Sequence, residues 1–245
     1  KSPFIVFDDC PENLDAVAGL IVYVAFLNQG ENCKSGSRLL IQEGVKEKLL
    51  AKVVEQVSQL KPQDPLDPST QFGALINEAH LNKVLAYIES GKEQGAELIL
   101  GGNRIDVDTG TSLLGKDDGA LSTKGCYIEP TIFDNVDPNS TIAQEEIFGP
   151  VLSVITFKDE AEAIQIANNT CFGLQAYAAT ENLARAQRLG RSLNVGNLMI
   201  LGSSSPHMGA VSIAGEPQRQ SGMGCEMGMA GLLSYSVSTV VDVLT

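Results

Sequence analysis

Residues 151–201 read VLSVITFKDEAEAIQIANNTCFGLQAYAATENLARAQRLGRSLNVGNLMIL, a stretch in which apolar extended runs alternate with amphipathic ones. The pattern predicts strand, helix, strand, helix and strand, in that order, at residues 151–157, 159–168, 174–179, 181–193 and 195–201. Strands and helices that alternate at this spacing are typical of parallel βαβ units. We therefore predict an α/β fold with a mainly parallel sheet flanked by helices.

The first half of the chain extends this pattern. Residues 4–7 (FIVF) form a continuous apolar run, as expected of a parallel strand covered on both faces. Residues 14–27 (LDAVAGLIVYVAFL) predict a buried helix, with Asn13 as its N-cap. The remaining predicted elements are strands at 37–41 and 97–100, an extended run at 127–133, and helices at 46–60 and 77–94.

Three polar segments and an apolar tail separate or follow these elements. The segments 61–70, 106–124 and 202–224 are rich in Pro, Gly or Ser, which predicts surface loops. The tail at residues 233–244 (LSYSVSTVVDVL) is β-branched and partly alternating. It predicts a terminal strand that pairs with the sheet edge of another subunit.

Composition excludes several classes of function. The formal net charge of −13 over 245 residues opposes binding to nucleic acid and to anionic membranes. The apolar run 14–27 is too short to span a bilayer and contains Asp15. Five scattered cysteines and two histidines form neither a disulfide framework nor a zinc site, so we expect a reducing, cytoplasmic location without a metal.

Cys33 is the candidate nucleophile. It follows the long predicted helix on a polar loop, residues 28–33 (NQGENC), and Lys34 next to it favours the thiolate. The alternative is a small buried hydrophobe, which is what most free cysteines are. Local chemistry leaves both interpretations open.

Separated motifs resemble the aldehyde dehydrogenase family. Residues 28–38 (NQGENCKSGSR) are similar to its nucleophile segment, in which Asn-x-Gly-Gln-x-Cys leads to Gly-Ser-Arg. Residues 145–151 (EEIFGPV) resemble a second family motif, and residues 1–3 (KSP) resemble the stretch after its Glu-Leu-Gly-Gly signature. Shorter matches follow in the family's order, at 64–68 (DPLDP), 129–131 (EPT), 172–174 (FGL) and 220–222 (QSG).

The resemblance implies a mechanism and a site. Cys33 would attack a small-molecule aldehyde to form a thiohemiacetal, which passes hydride to NAD or NADP and leaves a thioester for hydrolysis. Glu146 would bind the nicotinamide ribose, and Phe148 would pack beside the nicotinamide ring. Glu226 would move protons or water, with a solvated surface charge as the alternative. The resemblance also implies a catalytic domain at 1–232 and a homo-oligomerisation strand at 233–245.

The chain departs from the family pattern in ways that keep other functions open. The family's general-base Glu and its dinucleotide-binding domain are not in these 245 residues. Residues 214–219 (AGEPQR) replace a Pro-Phe-Gly-Gly segment, and Cys225 stands where Arg is frequent. The alternatives are a non-catalytic structural or interaction domain and a thioester-handling or esterase-like domain. Joint retention of Cys33, Glu146 and Phe148 favours the enzyme. His80 and His207 are expected to have no function.

Overall fold

A seven-stranded sheet forms the centre of the computed structural model, which describes residues 1–62, 68, 70–105, 125–203 and 215–244. Helices cover both faces of the sheet. The described helices are α1 (Leu14–Phe26), α2 (Lys46–Ser58), α3 (Glu78–Glu93), α4 (Thr141–Gln144), α5 (Glu160–Asn168), α6 (Leu183–Ser192) and α7 (Gly228–Leu233). The described strands are β1 (Pro3–Val6), β2 (Arg38–Gln42), β3 (Glu97–Leu100), β4 (Thr131–Asp134), β5 (Val151–Phe157), β6 (Phe172–Gly173), β7 (Gln175–Ala179), β8 (Asn197–Leu201) and β9 (Gln218–Arg219).

The sheet is mainly parallel, as predicted. Its strand order is β3-β4-β5-β2-β1-β7-β8, and the β3–β4 pair is the antiparallel one within it. The short β6 and β9 pair antiparallel outside this sheet. None of the helices in the described part of the chain is long and apolar enough to cross a membrane.

Both faces of the central strands are buried, which explains their continuous apolar sequence. In β1, Phe4 and Val6 pack with α1 and α2, whereas Ile5 and the following Phe7 pack with α3, α5 and α6. All four side chains are at most 1% exposed. Full burial of one such side chain contributes about 1.5–3 kcal/mol, so the centre of the sheet dominates the stability of the fold.

Most predicted elements are confirmed, with ends that shift by at most four residues. The Asn13 side chain accepts a hydrogen bond from the Ala16 N–H at 3.2 Å and caps α1, as predicted. The helix ends at Phe26, because Asn28 and Gln29 adopt left-handed backbone conformations with φ of 53° and 57°. These two residues turn the chain sharply towards Cys33.

The C-terminal segment differs from the prediction. The helix α7 and the strand β9 were not predicted, and residues 236–244 form neither helix nor strand. The predicted terminal strand is therefore not formed in the single chain, because a strand needs a hydrogen-bonded neighbour. Its pairing with another subunit stays a prediction, as does the domain boundary at 232/233. The predicted loops at 61–70, 106–124 and 202–224 lie wholly or partly outside the described residues, as does His207.

Candidate active site

Three loops meet at the amino ends of neighbouring parallel strands. Residues 1–2 lead into β1, residues 33–37 into β2 and residues 146–149 into β5, and all three contribute to one narrow crevice. The strands are in close register: Pro3 pairs with Arg38, and Arg38 pairs with Ser153. The segments that precede them are therefore brought together by the sheet itself.

Local hydrogen bonds shape the loop that carries Cys33. The Asn32 side-chain oxygen accepts from the Lys34 N–H at 2.9 Å, and the Asn32 carbonyl accepts from the Ser35 N–H at 3.0 Å. The N–H of Cys33 has no acceptor among the described residues. The Cys33 thiol itself is exposed at the crevice. The loop thus presents a thiol beside an unused backbone donor.

Buried side chains hold the residues that follow Cys33. The Ser35 hydroxyl donates to the Ala25 carbonyl at 3.0 Å, and the Tyr177 hydroxyl donates to the Lys34 carbonyl at 3.0 Å. Burial, followed by the charge that develops at Cys33, raises the pKa of Tyr177 to about 12. Tyr177 therefore remains a neutral donor at physiological pH and keeps the loop in place.

The second loop touches the first through its backbone. Gly30 has φ of 73°, and a Cβ added to it would overlap the Gly149 carbonyl. Next to this contact, Phe148 also has a left-handed backbone, with φ of 57°, and its ring is 40% exposed. The exposed Glu146 lines the same crevice. The two loops therefore present a thiol, a carboxylate and an aromatic face within one crevice.

A buried lysine lies at the inner wall of the crevice. The Lys1 side chain is 5% exposed, and its Nζ has no hydrogen-bond partner in the described structure. Burial, with a smaller contribution from Arg38, lowers the pKa of Lys1 to about 7, while Glu146 acts in the opposite direction. Burial of the Lys1 amine therefore lowers the stability of the fold at neutral pH.

Arg38 ties the site to the helical layer. Its guanidinium is fully buried and donates to the carbonyls of Lys1, Ile166 and Ala167 at 2.9–3.1 Å. The last two carbonyls lie at the C-terminal end of α5, where a cation complements the helix dipole. Burial lowers the pKa of Arg38 to about 10, so it stays charged at neutral pH.

The structure brings together three of the four predicted site residues. Cys33, Glu146 and Phe148 line the crevice, whereas Glu226 is exposed and lies outside it, shortly before α7. No group of His, Cys, Asp and Glu side chains that could hold a metal ion occurs in the described part of the chain.

The other cysteines differ in exposure. Cys10 is buried, and Cys126 and Cys225 are partly buried. Burial, with help from Asp9, raises the pKa of Cys10, and burial, with help from Glu78, raises that of Cys126. Cys171 is exposed like Cys33, so exposure alone does not single out Cys33. What distinguishes Cys33 is the crevice around it.

Sequence reasoning missed three residues of the site's framework: Lys1, Arg38 and His80. Lys1 and Arg38 belong to the KSP and GSR matches. A basic residue at or next to the start of an apolar strand could have indicated that each cation is buried. His80 approaches the Phe148 carbonyl from α3, 68 positions away along the chain. No local pattern marks such a contact.

Comparison with known proteins identifies the family. The model of the aldehyde dehydrogenase family matches residues 1–241. A betaine aldehyde dehydrogenase of Sinorhizobium fredii is 39% identical over 236 residues, which cover 96% of this chain and 45% of that relative. The crystal structure of aldehyde dehydrogenase KauB from Pseudomonas aeruginosa is 40% identical with a TM-score of 0.82, covering 96% of this chain and 44% of that one.

A crystal structure of an indole-3-acetaldehyde dehydrogenase with NAD+ is similarly close, at 41% identity and a TM-score of 0.83. It is matched over 96% of this chain and 44% of its own length. The chain thus spans less than half the length of the relatives it matches. It belongs to the aldehyde dehydrogenase family.

Proposed function

We propose that this chain provides the catalytic half of an NAD(P)-dependent aldehyde dehydrogenase, which oxidises a small-molecule aldehyde to a carboxylic acid. One observation carries the proposal: the exposed thiol of Cys33 shares a crevice with Glu146 and Phe148 in a chain of this family. A protein without a nicotinamide cofactor has no use for the last two residues in that position.

The Cys33 loop is suited to nucleophilic catalysis. The thiolate adds to the aldehyde carbonyl carbon, and the resulting thiohemiacetal carries an oxyanion. The unpaired N–H of Cys33 is a preorganised donor for that oxygen. After oxidation the acyl group remains on Cys33 as a thioester, and water releases the acid and restores the thiol.

NAD or NADP, when bound, accepts the hydride. The exposed carboxylate of Glu146 suits ribose hydroxyls, and the exposed ring of Phe148 suits the face of a nicotinamide. These residues fit one end of a dinucleotide only, because the sequence has no glycine-rich phosphate loop between a strand and a helix. We propose that a separate dinucleotide-binding half holds the rest of the cofactor.

Hydrolysis of the thioester needs a base, and Glu146, the carboxylate that lines the crevice, is the residue we propose for the ribose. Glu226, proposed as a carrier of protons or water, is exposed and outside the crevice. We propose that the general base belongs to the same separate half that holds the rest of the dinucleotide. An isolated chain would then stop before turnover.

The exposed C-terminal segment supports a proposal about partners, and the free cysteines support one about location. The C-terminal segment exposes many apolar side chains, and such a surface favours association over solvation: Leu232, Leu233, Tyr235, Val237, Val240, Val241, Val243 and Leu244. We propose a homo-oligomer that forms through residues 233–245, in the reducing cytoplasm where free thiols persist. Light scattering should give a species above 26.0 kDa that deletion after Leu233 shifts towards monomer or aggregate.

Two other functions remain as alternatives that experiment separates. A non-catalytic structural domain predicts an unreactive Cys33. An esterase-like domain predicts hydrolysis of an activated ester by this chain without any nicotinamide. The replaced segment at 214–219 is the feature that favours a changed or lost activity.

The test is aldehyde-dependent NADH or NADPH formation. The chain alone should form none, and the chain joined to a dinucleotide-binding half of the family should form it. Cys33→Ser should abolish the activity, and Cys171→Ser, a matched change of another exposed thiol, should retain it. Unchanged turnover in Cys33→Ser would refute the assignment of the nucleophile.

A further inference from the structure

His80 lies where α3 meets both loops of the crevice. Its backbone N–H is capped by the Asn77 side chain at 2.9 Å, which fixes the first turn of the helix. Its ring Nε2 is 2.6 Å from the Phe148 carbonyl oxygen and 3.4 Å from Glu31 Oε1. The His80 and Glu31 side chains are only 16% and 14% exposed. Such a contact is partly shielded from water and from salt.

The chemistry of the two neighbours fixes which nitrogen carries a proton. A backbone carbonyl and a carboxylate are both acceptors and have no hydrogen to offer. An unprotonated Nε2 would therefore face two oxygen atoms with its lone pair. The geometry requires a hydrogen on Nε2, so His80 donates to the Phe148 carbonyl.

The Cys33 loop is held by the same region. Glu31 Oε1 also accepts from the Ile76 N–H at 3.2 Å. Two positions earlier, the Gln29 side chain accepts from the Gly73 N–H at 3.0 Å and donates to the Ala74 carbonyl at 3.3 Å. The segment before α3 thus binds the loop at both Gln29 and Glu31.

The Phe148 loop, in contrast, is held from α3 by His80. Phe148 has a left-handed backbone, a conformation that is strained for a non-glycine residue. A hydrogen bond to its carbonyl offsets part of that strain and selects one orientation of the peptide. The orientation of the peptide determines where the exposed Phe148 ring points.

Resting on the proposed function, we infer that His80 is a positioning residue that clamps the Phe148 carbonyl and the Glu31 carboxylate together and thereby fixes the crevice around Cys33. His80 itself is not among the residues that line the crevice. Loss of the imidazole releases the Phe148 peptide and leaves the Glu31 carboxylate with the Ile76 N–H as its remaining partner.

The experiment measures the rate at which iodoacetamide alkylates Cys33 in the folded 245-residue chain. We expect His80→Ala to slow alkylation about three- to tenfold, which corresponds to roughly 0.7–1.4 kcal/mol and lies within the range of one hydrogen bond. His80→Gln, whose amide nitrogen can donate to the same carbonyl, should restore the rate to within about twofold. Asn82→Ala, an exposed change on the same helix, is the matched control and should leave the rate unchanged.

A double-mutant cycle separates positioning from a general loss of stability. Glu31→Gln keeps an acceptor for Ile76 but removes the charge, so His80→Ala should slow alkylation less in that background than in the original chain. Equal effects in both backgrounds, or an unchanged rate in His80→Ala, would overturn the inference. Neither result would touch the proposed function, which requires only that Cys33 remain the most reactive thiol.

Discussion

The sheet and the C-terminal segment use the same residue types in opposite ways. Val154 in β5 is 0% exposed, whereas Val240 in the tail is 85% exposed. Strand β5 has hydrogen-bonded neighbours on both sides, β2 and β4, while residues 236–244 form neither helix nor strand. Apolar sequence therefore predicts burial only where the same chain supplies the partner.

The sheet is complete within the single chain, whereas we predict that the tail pairs with another chain. The sheet assembles the Cys33 crevice without help, because the strands that carry its loops pair with one another. The tail exposes its valines, which fits an interface and not a core. In the single chain, substitutions in the sheet should change the free energy of unfolding strongly, and substitutions in the tail should change it little.

The largest effect is expected at Arg38. Arg38→Met removes the buried donor shared by the carbonyls of Lys1, Ile166 and Ala167 and the cation at the end of α5, so the free energy of unfolding should fall by about 3–5 kcal/mol. Urea unfolding followed by circular dichroism measures this change. Arg188→Met, whose side chain is 51% exposed in an ion pair with Glu160, is the control and should shift the midpoint far less. Similar shifts in both variants would mean that Arg38 does not anchor the layers.

A smaller effect of opposite sign is expected at Lys1. Its pKa falls from 10.5 to about 7 on folding, so the unfolded chain binds more protons between those pH values. The cost of burying the charged amine is fully present below pH 7 and disappears as pH rises to about 10.5. Lys1→Met should therefore stabilise the chain at pH 7 by roughly 2–3 kcal/mol.

The pH dependence supplies the control for Lys1. The gain from Lys1→Met should shrink steadily in urea titrations from pH 7 to pH 10. A gain that is constant over this range would show that it comes from packing of the methionine and not from the buried amine.

The smallest effects compare two valines directly. Val154→Ala should lower the free energy of unfolding by about 2 kcal/mol, because it removes buried methyl groups and leaves a cavity. Val240→Ala should change it by less than about 0.5 kcal/mol in the monomeric chain. Urea unfolding at low protein concentration measures both. Equal losses would mean that the tail is packed within its own chain.

Much of the fold was predictable because it follows from local periodicity. Strands buried on both faces read as continuous apolar runs, and the cap at Asn13 is a local hydrogen bond. The helix α7 and the β6–β9 pair were not predictable, since short elements of a few residues have no period to detect. The tail differs for another reason: residues 236–244 form neither helix nor strand in the single chain, and their pairing with another subunit stays a prediction.

The residues of the site were predictable from sequence motifs, but their contacts in space were not. Cys33, Glu146 and Phe148 stand in recognisable segments, and the register of the strands then brings them together. The contact of His80 with Phe148 and the burial of Lys1 depend on packing between distant segments. No sequence pattern determines such contacts, which is why His80 was expected to have no function.

The central claim is that the crevice makes Cys33 the nucleophile, and limited labelling with iodoacetamide at neutral pH tests it most directly. Cys171 is the internal comparison, because it is exposed as well but does not line the crevice. Peptide mapping should find most of the first label on Cys33, followed by Cys171. Cys10 and Cys126 should be labelled last, because their pKa values are raised. First labelling of Cys171 or Cys126 would contradict this claim.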